Sequence, residues 1–228
     1  PYLAEPAFRR ALLRGIDRKR LVPLAGTGES AVAHSPVSPR LLRGRFRPVG
    51  FDRRAANRAL ARLVARNDAL HGDASSGRLK LGLILDASRL EDRIVANQIV
   101  ADLDRIGISV TVDPLPARQY GERLRSGRFE LAICRPPVQL PLGSVGLATA
   151  LAAAGERRAA LRCLRSGRCG ARRARRFMKQ LPMIPLVHAG IRLHHDARVG
   201  AVQLTAVGRL PFADLYWLRR GAPGGAAR

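Results

Sequence analysis

Between residues 79 and 134 the chain alternates short apolar runs with amphipathic stretches, and this alternation constrains the fold more than any other feature. Leu79–Leu85 is apolar, short and bounded, as a buried strand must be. Arg89–Ile106 reads as a helix with Ile94, Ile99, Leu103 and Ile106 on its inner side, and Gly107 ends it. Ile108–Val112 is rich in β-branched residues, which favour strands. Residues 117–126 form a second amphipathic helix around Tyr120 and Leu124, and Phe129–Cys134 a third strand. Parallel strands need crossover connections of about this length, and such crossovers are right-handed, so the segment predicts an α/β layer.

Helices flank this layer in the expected reading. Phe8, Leu12 and Ile16 recur at helical spacing, and Asp17 is suited to cap a short second helix through Leu21 and Leu24. Gly26–Pro39 reads as a long punctuated loop; Glu29 stands where a phosphate-binding loop needs lysine. Asp52 is placed to cap a helix whose Ala56, Leu60 and Leu63 form an apolar stripe, and His71–Gly77 reads as a polar linker. After Pro136, Pro137 and Pro141 the expectation is a helix over 144–154, two arginine-rich helices within 157–181, an extended Pro182–His195 and a strand over 199–207.

With 46% hydrophobic residues over 228 positions, the chain has enough apolar surface to fold. No apolar run approaches the roughly 20 residues of a membrane span, and the start at Pro1 reads as a mature or excised segment of a soluble protein. The formal charge of +24 invites a nucleic-acid reading. Against it, the arginines are spread over nearly every predicted helix, densest at Arg172, Arg173, Arg175 and Arg176. Aromatic residues make up only 4%, which leaves few stacking platforms, so nucleic acid is not the expected partner.

The chemistry-bearing residues assemble no recognisable catalytic or metal motif. Cys134, Cys163 and Cys169 lack paired zinc-ligand spacing, and no histidine flanks them at ligand distance, so no metal or cofactor is expected. Cys163 and Cys169 enclose a turn-like stretch compatible with a small disulfide loop or with two free thiols. Asp86, Glu91 and Asp92 surround a helix start, where carboxylates act as caps. His194 and His195 are adjacent in an extended segment and point to opposite faces. Ser30 and Ser38 lack a nucleophile elbow, so no enzyme is expected.

Six segments in order resemble the family 5 extracytoplasmic solute-binding proteins of peptide, opine and nickel importers. They are Phe8–Arg18 with its Gly-Ile-Asp-Arg ending, the Gly26–Pro39 loop, Gly50–Ala56, Gln98–Val110 with its Gly-Ile-Ser-Val ending, Gly127–Ala132, and Leu181–Leu186 with its Pro-Met-Ile-Pro-Leu core. The resemblance implies a lobe of type II periplasmic-binding-protein fold, three-layered, with a mixed sheet and flanking helices. It implies the C-terminal lobe of a two-lobed receptor: an α/β ligand-binding lobe over 1–182, a returning tail over 183–220 toward a missing first lobe, and a disordered tail over 221–228.

The implied function is the solute-binding component of an ABC importer, extracytoplasmic, with a small solute, the other lobe and the membrane permeases as partners. The alternative is a cytoplasmic ligand-sensing transcription regulator carrying the same fold. The resemblance places Cys134, Arg135 and Gln139 on the ligand wall. In peptide-binding members an aspartate near this point pairs with the ligand's amino terminus; Gln139 stands there instead and cannot neutralise an ammonium group. Arg135 suits a carboxylate or phosphate, or else faces solvent in a proline-stiffened loop. One lobe alone is expected to fold, to bind no transport solute usefully, and to leave Met183–Leu193 and Trp217 uncovered.

Overall fold

In a computed structural model, the structure describes residues 2–26, 30–42, 45–71, 79–135, 143–167, 169–190, 194–202 and 212–217. Helix α1 (Pro6–Gly15) buries Phe8, Ala11, Leu12 and Leu13, and its first position is a proline, whose missing N–H costs nothing there. Asp17 then caps α2 (Arg18–Leu21), its carboxylate accepting from the backbone N–H of Lys19 at 3.2 Å. Strand β1 (Ala31–Val32) and helix α3 (Pro39–Leu42) follow. Asp52 accepts from the N–H of Ala55 at 2.8 Å at the start of α4 (Arg53–His71), which packs on α1 with Ala56, Leu60 and Leu63 inward.

The central layer is β2 (Leu79–Asp86), α5 (Leu90–Asp104), β3 (Ile108–Leu115), α6 (Ala117–Ser126) and β4 (Leu131–Ala132). All three strands are parallel, in the order β3-β2-β4. The chain therefore crosses from β2 to β3 in one direction and from β3 past β2 to β4 in the other. Right-handed crossovers in opposite directions put α5 and α6 on opposite faces of the sheet. Leu81, Leu83 and Leu85 face the core shared with α1, α4 and α5. Helix α6 buries no residue fully and covers the second face loosely.

Two strand lengths differ from the sequence reading. β3 runs on to Leu115 through Pro114, which is tolerated because β3 is an edge strand. β4 is shorter than Phe129–Cys134: the Glu130 carboxylate accepts the N–H of Gly82 at 2.5 Å, and Phe129 is exposed. Regular pairing then begins one residue later.

A second buried cluster joins Val37 and Leu42 to three helices, α7 (Gly143–Ala153), α8 (Arg157–Ser166) and α9 (Ala171–Gln180). Cys163 and Cys169 form a disulfide across the α8–α9 turn. Arg9 and Arg10 of α1 donate to the carbonyls of Leu181, Gln180 and Lys179, tying the end of α9 to the first cluster.

Strand β5 (Val187–His188) pairs antiparallel with β1, and β6 (Val199–Gly200) with β7 (Tyr216–Trp217). Met183 packs on the second cluster and Ile184, Leu186 and Val187 on the first, so this stretch is covered, contrary to the expectation that it would lie open. Trp217 remains 69% exposed, with the Arg198 guanidinium 5.5 Å from its ring centre. The expected strand over 199–207 begins at β6, but 203–211 lie outside the described residues, as do 72–78, 191–193 and the 221–228 tail.

Arg18 holds the β1–β5 junction. Its buried guanidinium donates to the carbonyls of Ala33 and Val49, and to that of Pro185 at 3.3 Å, so three distant segments share one cation. His34 and His188 lie at the same junction, with His34 Nδ1 and His188 Nε2 buried and lacking a partner among the described residues. Burial, then the Arg18 charge, lowers the pKa of His34. Burial, then His34, lowers that of His188.

Candidate ligand-binding edge

In open α/β sheets, ligands bind beyond the carboxyl ends of the strands where the strand order reverses. Here that point lies between β2 and β4, and the loops leaving their ends bring together Asp86, Ser88, Arg89, Asp92, Cys134 and Arg135. Tyr120 reaches the same edge from α6 and donates its hydroxyl to the Ile133 carbonyl.

Asp86 is the last residue of β2. Its carboxylate accepts the Ser88 hydroxyl at 2.7 Å and the Ser88 N–H at 3.0 Å, with Arg89 at 3.4 Å. These bonds, the Ser88 hydroxyl first, hold its carboxyl below the usual range. The Asp86 carboxylate thus shapes the turn into α5.

Asp92, in the first turn of α5, is almost fully buried. Its Oδ1 accepts from Arg135 Nη2 at 2.6 Å and Nε at 2.8 Å. The proline-flanked Arg135 is thus drawn onto α5, and its fork is occupied by a carboxylate of the same chain. Sequence reading treated these two residues separately, because nothing local links positions 43 apart.

Cys134 is half-buried and unpaired, and burial, then Asp92, pushes its thiol pKa up. Burial, followed by Cys134, Asp92 and Asp86, raises that of Tyr120. Both groups are therefore held protonated near neutral pH, the opposite of what an activated nucleophile needs. Gln139, the remaining residue of the expected ligand wall, lies outside the described residues. No group of three or more metal-ligating side chains occurs among the described residues.

Two concavities lie away from this edge. One of about 410 Å³ is lined by Asp17, Arg20, Phe51, Asp52, Asp102 and Arg105 among others. There Asp102, with 1% of its side chain exposed, accepts the Asp17 N–H at 3.0 Å and Gln98 Nε2 at 3.1 Å, and pairs with Arg105 at 3.4 Å. Its carboxylate is consumed in locking α2 to α5. The other, of about 450 Å³, lies between α8 and α9.

A parallel three-stranded core with its order reversal, short antiparallel pairs and helices on both faces defines the α/β architecture of type II periplasmic binding proteins, and solved structures of that class share it. NikA from Brucella suis, in complex with Fe(III)-EDTA, superposes with a TM-score of 0.66 at 17% identity, over 93% of this chain and 48% of that one. DppA from Helicobacter pylori, in complex with the peptide STSA, gives 0.62 at 16% identity, over 82% and 39%. AppA from Bacillus subtilis, in complex with a nonapeptide, gives 0.59 at 11% identity, over 94% and 48%.

The chain belongs to the bacterial extracellular solute-binding proteins, family 5, whose middle-region model matches residues 1–141. It spans about half the length of the solved structures it matches. No curated protein matches it in sequence.

Proposed function

We propose that this chain is one lobe of a two-lobed, extracytoplasmic solute receptor of an ABC importer, and that its ligand wall is the edge formed by the loops after β2 and β4. The observation that carries this reading is the family match over 1–141, joined to a strand-order reversal that gathers polar side chains at one sheet edge. In this reading the chain is the C-terminal lobe: residues 1–182 form the ligand-binding unit and 183–220 return toward the first lobe. It is a binding module rather than an enzyme, in keeping with a protonated thiol and phenol at the edge.

Cys134, Arg135 and Gln139 would face the solute. Because Arg135 is already paired with Asp92, the solute class favoured is one recognised by neutral hydrogen bonds rather than by a free guanidinium or a free carboxylate. The Cys163–Cys169 bond supports an oxidising compartment over the cytoplasmic regulator. Mass spectrometry of solute carried through purification of the full-length gene product tests the proposal. A small solute in stoichiometric amount, released on denaturation, is expected; a free amine essential for binding would contradict the proposed selectivity, and specific DNA retention would favour the regulator.

A further inference from the structure

We infer that the α8–α9 hairpin is a docking surface for an anionic phospholipid bilayer. Residues 157–180 contain ten arginines and lysines and no acidic residue. The 450 Å³ concavity between these helices is lined by Arg162, Arg165 and Arg173 with Ser166 and Cys169. No carboxylate pairs with any of these three arginines among the described residues. Three arginines lining one concavity concentrate positive charge there, and their planar donor forks match phosphate oxygens.

The apolar residues of the same helix decide which phosphate. Leu161 and Leu164 are 53% and 54% exposed, whereas Ala159, Ala160 and Cys163 are buried in the second cluster. At 100° per residue, Leu161 and Leu164 fall on the solvent arc with Arg158 and Arg165, so the outer face presents leucine and arginine side by side. Contacts to the phosphates of a duplex leave two leucines on the same face in water, and the chain offers few aromatic platforms for single strands. A bilayer surface uses both: leucines enter the headgroup–acyl boundary while arginines hold lipid phosphates. The Cys163–Cys169 bond fixes the wall of the concavity to the core, because Cys163 is buried and Cys169 lines the opening. The surface is separate from the β2–β4 edge, so its test is independent of the solute.

The test is co-flotation of the 228-residue chain with vesicles of phosphatidylglycerol and phosphatidylcholine, against phosphatidylcholine alone. Binding to the anionic vesicles only is expected. With each cation near an anionic surface contributing roughly a fivefold change in affinity, Arg162→Gln/Arg165→Gln/Arg173→Gln should weaken binding about a hundredfold. Leu161→Ser/Leu164→Ser, which keeps every charge, should weaken it about tenfold or more. The same charge removed elsewhere, as Arg58→Gln/Arg62→Gln/Arg93→Gln, should have a much smaller effect, with circular dichroism confirming that each variant folds. If the arginine variant fails to fold, the leucine variant decides. Equal losses from both triple variants, or no loss from the leucine variant, would reduce the effect to net charge and overturn the proposal. So would displacement by millimolar inorganic phosphate, or tighter retention on duplex DNA at the same ionic strength.

Discussion

Arg135 closes on the buried carboxylate of Asp92 through both Nη2, at 2.6 Å, and Nε, at 2.8 Å, and so fastens the loop after β4 to the first turn of α5. Removing the cation leaves a buried carboxylate without its partner. Arg135→Ala should therefore lower stability by about 1–3 kcal/mol, the cost of leaving a buried polar group unsatisfied, and less than the roughly 3–5 kcal/mol of breaking a fully buried pair because the arginine is itself partly exposed. Asp92→Asn should cost less. Replacing both with leucine should recover much of the loss, read from urea denaturation of the two single variants and the double variant.

Arg18 is the second such clasp. Arg18→Met preserves much of the apolar stem but strands the carbonyls of Ala33, Val49 and Pro185 at a buried junction. A loss of about 2–4 kcal/mol is expected in the same assay, with Arg18→Lys recovering only part of it, since an ammonium lacks the planar fork.

The histidines beside Arg18 set a pH dependence. Both His34 and His188 have pKa values lowered on folding, so over the window between those values and the unfolded value near 6.5 the unfolded chain binds more protons. Stability from this source is complete above about pH 6.5 and is lost as the pH falls below it. The melting temperature should drop between about pH 7.5 and 5, and His34→Leu/His188→Leu should flatten that slope. The lowered carboxyl groups of Asp86 and Asp196 act in the same sense but at lower pH, below about 4, so the two contributions separate.

The disulfide between Cys163 and Cys169 closes a loop with a sequence separation of 6. The chain-entropy relation gives about 2 kcal/mol for so short a loop. Cys163→Ser/Cys169→Ser should lower the melting temperature, and reductant should then have no further effect; in the unaltered chain, reductant should reproduce the drop.

Legibility in the sequence followed the range of the interactions. The strand–helix alternation over 79–126, the caps at Asp17 and Asp52 and the stop at Gly107 were readable because each is written in neighbouring residues. β1 and β5 were not, being two residues each and paired across more than 150 positions; Gly26–Pro39 looked like loop throughout. The Asp92–Arg135 pair was hidden for the same reason, and Arg18 carried no local sign of its burial. β4 was overestimated at its start, where the Glu130 carboxylate takes the Gly82 N–H in place of a backbone carbonyl. Met183–Val187 looked exposed because the faces that cover it come from α7–α9 and from the β2 core, far away in sequence.

In the proposed reading, solute meets the chain at the edge between β2 and β4. Hydrogen–deuterium exchange of the full-length gene product, with and without its co-purified solute, tests this. Solute-dependent protection is predicted in residues 86–92 and 133–139, with the α8–α9 hairpin unchanged. Protection confined to other segments, or none at either stretch under saturating solute, would rule out this edge as the ligand wall.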